Sequence, residues 1–303
     1  MNRFYSNGKL LITGEYAVLD GALALAVPTR YGQSLEIISS SENTLVWKSL
    51  DYQDQNWFEA QFALSDFKVL HTTNPSVAIT LQELLKASRE QNPKFLNQGE
   101  GYIATSKLGF PNDWGLGSSS TLINNLAQWA KVDAYALLWK AFGGSGYDIA
   151  CAQHNNPICY RKKQPKPEVS EMDFKPSFAD RLYFVHLNQK QNSKAAIANY
   201  SQKTFDKEKF INTVDDITTQ ILQSETIETF RESLESHESL LAEVLQVRTV
   251  KQRLFQDYPN TLKSLGAWGG DFILAVGDAT TPKYFESKGY KTVIPYAEMV
   301  RKD

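Results

Sequence analysis

Hydrophobic and polar positions change their rhythm near residue 74. Before it, short apolar runs are separated by Gly, Asn, Asp and Ser: Phe4-Tyr5, Leu10-Leu11-Ile12, Ser34-Leu35-Glu36-Ile37-Ile38, Thr44-Leu45-Val46-Trp47 and Trp57-Phe58-Glu59-Ala60. Such runs predict strands, so the first part of the chain reads as β-rich. Within it, residues 6–21 (SNGKLLITGEYAVLDG) read as a hairpin-like segment with glycine turns. After residue 74 helical spacing takes over. Asn74-Pro75 opens a helix through Leu81, Leu84 and Leu85 that stops near Asn92-Pro93. Tyr102-Ile103-Ala104-Thr105-Ser106 predicts a strand, and Leu122, Leu126 and Trp129 predict a helix behind it. A second short helix, 134–142, is closed by Gly143-Gly144.

The C-terminal half continues with strands at Ile158-Cys159-Tyr160 and at 182–187. Residues 161–180 are polar and rich in proline, which predicts a surface connection or domain boundary. Two amphipathic helices follow. One presents Phe210, Val214, Ile217 and Ile221, the other Ile227, Phe230, Leu234 and Leu241. Residues 262–277 read as strand, glycine turn and strand, and a helix near Pro282 and a strand near Thr292 close the pattern. There is no internal repeat.

Composition narrows the class of function. A chain of 303 residues holds one large or two ordinary domains. Its net charge of −2 carries no electrostatic footprint for nucleic acid or an anionic membrane. No apolar run reaches membrane-spanning length, and the N-terminal run is too short for a signal peptide. Cys151 and Cys159 lack metal spacing and read as buried thiols. The four histidines, His71, His154, His186 and His237, are scattered and read as structural or exposed. The expectation is a cytoplasmic protein, by default, acting on a small molecule as a monomer or homodimer without nucleic-acid or membrane partners.

The chemistry concentrates in residues 110–121, FPNDWGLGSSST. A glycine- and serine-rich turn there joins a strand to a helix N-terminus, where unpaired backbone N–H groups and the helix dipole favour an anion, most naturally phosphate. Gly115 and Gly117 let the backbone approach such a ligand. The plainer alternative is a helix capped by Ser118 or Ser119 after an ordinary turn. The stretch fits neither GxxxxGK[ST] nor GxGxxG.

Three glycine-rich stretches in this order resemble the GHMP kinase superfamily, which phosphorylates small metabolites with ATP. PNDWGLGSSS is similar to its phosphate-binding motif PxxxGLGSSA, NGKLLITGEYAV to the first motif and SLGAWGGDFIL to the third. The resemblance implies an α+β fold of two domains around one cleft: an ATP-binding domain over about 1–160, built on a mixed sheet, and a ferredoxin-like domain over 180–303. Gly14-Glu15-Tyr16, Gly144-Ser145-Gly146-Tyr147-Asp148 and 266–271 match the phosphomevalonate kinase branch of the mevalonate group. The magnesium-binding glutamate that mevalonate kinases place eleven residues before the catalytic aspartate is absent, since Leu137 stands there. Trp268 replaces a glycine of the third motif, where its indole is expected to narrow or block the acceptor site, and Ser120 replaces an alanine of the second.

By the same resemblance, Gly115, Leu116, Gly117, Ser118, Ser119 and Ser120 hold ATP, and Ser119 contributes a hydroxyl to Mg²⁺. Asp148 is the expected general base and Lys9 the cation that keeps it ionised and neutralises the moving phosphoryl group. Glu15, Ser145, Gly146, Lys190, Ser193, Gly266, Ala267, Gly269 and Gly270 are expected on the acceptor side. Mevalonate 5-phosphate is the first expected acceptor. Mevalonate, another small alcohol or sugar, and a non-catalytic binding role on the same fold stay open as alternatives.

Overall fold

The computed structural model describes residues 1–97, 99–189, 193–268 and 270–301. Its contacts divide into two compact units. One comprises 1–8, 31–112 and 116–153, the other 9–30, 113–115 and 154–303. Residues 9–30 thus belong with the C-terminal half, a grouping that linear order does not announce.

In the first unit, β1 (Asn2–Leu11) and β2 (Ala24–Ser40) are long strands that start or end in the other unit. They are followed by β3 (Thr44–Leu50), β4 (Asn56–Ala63), β5 (Val69–Thr72), α1 (Pro75–Gln91), β6 (Gly101–Leu108), α2 (Ser118–Ala130), α3 (Ala134–Ala141) and α4 (Tyr147–Gln153). The strand order is β5-β4-β3-β6-β2, with β3 and β6 parallel and the other neighbours antiparallel. One sheet face is covered, so burial alternates along the strands. Leu45 and Trp47 on β3, and Phe58, Ala60 and Phe62 on β4, point into a core shared with Leu81, Leu84 and Leu85 of α1 and Leu126 of α2. Helix α1 starts where the sequence predicts: the Asn74 side chain accepts from Val77 N–H, and Pro75 takes a position whose N–H would be unpaired anyway.

In the second unit, the first residues of β2 pair with β7 (Ile158–Arg161), and β7 pairs with β8 (Glu168–Glu171). The stretch 161–180, expected as a surface connection or domain boundary, therefore contains a strand. Its sequence, EVSE, is too polar to announce one, and pairing with β7 supplies the structure. Then come β9 (Leu182–His186), α5 (Ser193–Ser201), α6 (Lys207–Leu222), α7 (Ile227–Leu245), α8 (Val250–Leu254), β10 (Leu262–Ser264), β11 (Phe272–Val276), α9 (Thr281–Ser287), β12 (Val293–Pro295) and α10 (Tyr296–Met299). The order β10-β11-β9-β12, antiparallel throughout, is ferredoxin-like. Every residue of the central strands β9 and β11 is buried. The expected α+β class, with a large mixed sheet and a separate small antiparallel one, is met. No helix among the described residues is long and apolar enough to cross a membrane.

Candidate active site

The phosphate-loop sequence folds as a turn into a helix, and its cap is a glycine. Helix α2 begins at Ser118, and its N-cap is Gly117 at φ 89°, ψ 40°, with no side-chain cap. Capping by Ser118 or Ser119, the plainer alternative, does not occur. The first helical bond runs from Thr121 N–H to the Gly117 carbonyl (3.0 Å), so the N–H groups of Ser118, Ser119 and Ser120 precede the ladder. A buried polar network holds this end of α2. The Thr121 hydroxyl donates to the Gln33 side-chain carbonyl (2.5 Å), the Gln33 amide to Ser106 (2.6 Å), and the Asn125 amide to the Gln33 main chain (2.9 Å). Satisfied networks of this kind rigidify what they hold.

Asp148 lies in the same unit. It sits in the first turn of α4, just past the glycines of residues 143–146. Gly146, at φ 96°, opens that helix, its carbonyl accepting from Ile149 and Ala150. The Ser120 hydroxyl donates to Asp148 Oδ2 (3.3 Å), while Oδ1 is buried and makes no hydrogen bond. The glycine-capped helix and the candidate base are therefore brought together. Ser119 is exposed, Leu116 and Ser120 are buried, and Ser145 is buried beside α4. Leu137 is 0% exposed in the apolar core, where an ionised glutamate would be costly.

The second unit holds Lys9, Gly115 and the third motif. Lys9 Nζ donates to the Gly115 carbonyl (3.0 Å). Gly115, at φ 65°, has no room for a side chain: a Cβ there would lie 2.3 Å from Cγ of Asp271, which itself sits at φ 54°. The third turn is tied to the first by the Tyr16 hydroxyl, which donates to the Ala267 carbonyl (2.8 Å). Gly266 is left-handed at φ 60°, and Gly270 is buried. Trp268, 7% exposed, packs in an apolar cluster with Tyr16, Tyr200 and Phe210, and its indole N–H has no acceptor. Ser193 is exposed at the start of α5. Lys190 and Gly269 lie outside the described residues.

Glu15 is wholly buried and ion-paired with Lys263, also wholly buried, whose ammonium donates as well to the Ser264 carbonyl (2.8 Å). Burial pushes the Glu15 carboxyl up to about 7, against the opposing pull of Lys263. His237 Nε2 lies 3.5 Å from the other Glu15 oxygen and accepts the Gly14 N–H (3.0 Å), which places the ring proton on Nδ1. Burial, and then the charge on Lys263, hold His237 well below its ordinary value. The adjacent Glu238 accepts from the Ser264 N–H and hydroxyl (both 2.9 Å). Sequence reasoning does not find Asp271, Lys263, His237 or Glu238. A signal exists for two of them: His237 and Glu238 fall in the gap between Leu234 and Leu241 on the apolar stripe of α7.

The sequence matches no family profile and no curated protein. Solved structures do match. The mevalonate kinase of Methanococcus jannaschii superposes with a TM-score of 0.73 at 15% identity, covering 100% of this chain and 98% of that one. The phosphomevalonate kinase of Streptococcus pneumoniae, solved with phosphomevalonate and AMPPNP, gives 0.69 at 19% identity over 95% and 96%. The galactokinase of Lactococcus lactis, solved with galactose, gives 0.70 at 13% identity over 99% and 92%. The chain has the fold these enzymes share.

Proposed function

We propose that the protein is an ATP-dependent kinase of a small alcohol, with mevalonate 5-phosphate as first acceptor. The observation that carries this reading is the hydrogen bond from Ser120, on the glycine-capped end of α2, to Asp148, whose Oδ1 makes no hydrogen bond. It puts N–H donors suited to phosphate next to a carboxylate suited to an acceptor hydroxyl.

Gly117 and the N–H groups of Ser118, Ser119 and Ser120 bind the phosphates. Asp148 orients the acceptor hydroxyl and takes its proton as the new O–P bond forms and the bond from the γ-phosphorus to ADP breaks. Lys9 supplies positive charge to the transferring group. Among the described residues no three acidic, His or Cys side chains gather as a metal cage. The exposed Ser119 hydroxyl and the unbonded Asp148 Oδ1 are oxygen donors that suit Mg²⁺ arriving with the nucleotide, since this ion keeps several waters and few protein ligands. The exposed Ser119 hydroxyl and Asp148 are the groups that would hold it, and the ion would neutralise phosphate charge. The third turn, at Gly266 and Ala267, faces the acceptor in this reading. The Streptococcus pneumoniae enzyme, which shares the fold and binds phosphomevalonate together with AMPPNP, supports the choice of acceptor.

A non-catalytic role on the same fold is the second reading, favoured by Leu137 in the core where the related kinases carry a magnesium-binding glutamate. ADP release measured with mevalonate, mevalonate 5-phosphate, homoserine and galactose separates the readings. Acceptor-dependent release supports the kinase and names its substrate; ATP binding without release on any acceptor supports the second.

A further inference from the structure

Helix α7 carries two consecutive polar side chains in its buried stripe, where Phe230, Leu234, Leu241 and Leu245 otherwise make the apolar face. His237 is 0% exposed and Glu238 3%. Burying such groups is costly unless they are bonded, and apolar residues would fill the space more cheaply. Both are bonded to backbone. His237 Nε2 takes the Gly14 N–H, and Glu238 takes the N–H and hydroxyl of Ser264, with the Val250 N–H as a third donor (3.2 Å).

The two backbone groups belong to the first and third glycine turns, which carry Glu15 and Gly266, two of the residues that the resemblance puts on the acceptor side. Gly14 opens the first, at φ 86°, where a Cβ would lie 2.7 Å from that of Ala24. Ser264 precedes the third, and the Glu15–Lys263 pair lies between them. One dipeptide thus fixes both turns to a single rigid helix. Contacts of this kind set geometry at the reacting centre, where a displacement of about 1 Å costs on the order of 10² in rate.

We propose that His237 and Glu238 are positioning residues for phosphoryl transfer, holding the first glycine turn at Gly14 and the third at Ser264 in the geometry that receives the acceptor. The inference rests on the kinase reading and adds to it residues outside all three glycine-rich motifs.

The test compares His237→Leu, which removes the acceptor for Gly14 N–H, with His237→Gln, which restores an oxygen near the same place. Steady-state kinetics are run with ATP and whichever of the four acceptors the unsubstituted chain turns over fastest, with thermal unfolding alongside. His237→Leu is expected to lower kcat/KM for the acceptor about tenfold to a hundredfold, to leave KM for ATP unchanged, and to be rescued largely by His237→Gln. A folded His237→Leu with unchanged acceptor kinetics overturns the inference alone. So does a loss that is equal for ATP and acceptor. If His237→Leu does not fold, Ser264→Ala, which deletes one hydroxyl bond to Glu238, decides: a selective acceptor defect supports the inference and unaltered kinetics overturn it. No turnover by the unsubstituted chain overturns the kinase reading and this inference together.

Discussion

Asp271 places its carboxylate where Gly115 would carry a side chain: all three of its terminal atoms lie within 2.6 Å of the position a Cβ would take. The carbonyl of the same glycine receives the Lys9 ammonium. The absence of a side chain at Gly115 therefore serves a contact within the protein, with Asp271 on one side of this glycine and Lys9 on its carbonyl.

A double-mutant cycle tests that relationship. Gly115→Ala alone meets both the carboxylate and a left-handed backbone, and is expected to destabilise by about 2–4 kcal/mol, from overpacking and the backbone penalty together. Combined with Asp271→Gly, which suits φ 54°, the added cost of Gly115→Ala should shrink to the backbone part, roughly 1–2 kcal/mol. Strict additivity in urea unfolding would show that the carboxylate is not the obstacle.

The buried Glu15–Lys263 pair should behave as an obligate couple. Lys263→Met strands the carboxylate and is expected to cost about 3–5 kcal/mol. Glu15→Leu with Lys263→Met removes both charges and should cost less than Lys263→Met alone. A double variant less stable than Lys263→Met alone would mean that loss of Lys263 leaves no costly unpaired charge on Glu15.

The same cluster gives opposite pH dependences. His237 is held neutral, well below 6.5, so its contribution is complete above pH 6.5 and is lost as pH falls below it. The stability difference between the protein and His237→Gln should narrow from pH 7 to pH 5. Glu15 is raised from 4.5 to about 7, so its contribution is complete below 4.5 and is lost as pH rises through 7. The difference between the protein and Glu15→Gln should narrow from pH 4.5 to pH 7.5. Urea midpoints across this range check both signs, and two flat differences would contradict the assignment.

Much of the fold and of the turn at residues 110–121 is legible in the sequence, and the reason is locality. A strand, a glycine turn and a helix N-terminus are written in adjacent residues, so 110–121 announces the turn into α2 and Asn74 announces the start of α1. The apolar stripes of α6 and α7 are likewise periodic in sequence. What stays hidden depends on distant partners. His237 meets Gly14 across 223 positions and Lys263 meets Glu15 across 248, and no local pattern records either meeting. Strand β8 goes unannounced because EVSE shows no apolar alternation, and Asp271 because its meaning lies in its contact with Gly115.

Gly117 supports the nucleotide reading by its own geometry. Its left-handed cap leaves the N–H groups of the first turn of α2 without a side-chain partner. Gly117→Val should move that turn, weaken ATP binding strongly in calorimetry, and leave circular dichroism unchanged. Unchanged nucleotide affinity in a folded variant would exclude the loop as the phosphate site.

Phosphoryl transfer through Asp148 is the central claim, and acceptor-dependent ADP release in Asp148→Asn tests it most directly. With mevalonate 5-phosphate, turnover should fall by about 10²–10⁴ while ATP affinity is retained. Lys9→Met should also depress turnover, and the double variant should be little worse than Asp148→Asn, because the proposed reading assigns both residues to one step. Full ADP release by Asp148→Asn would contradict the account.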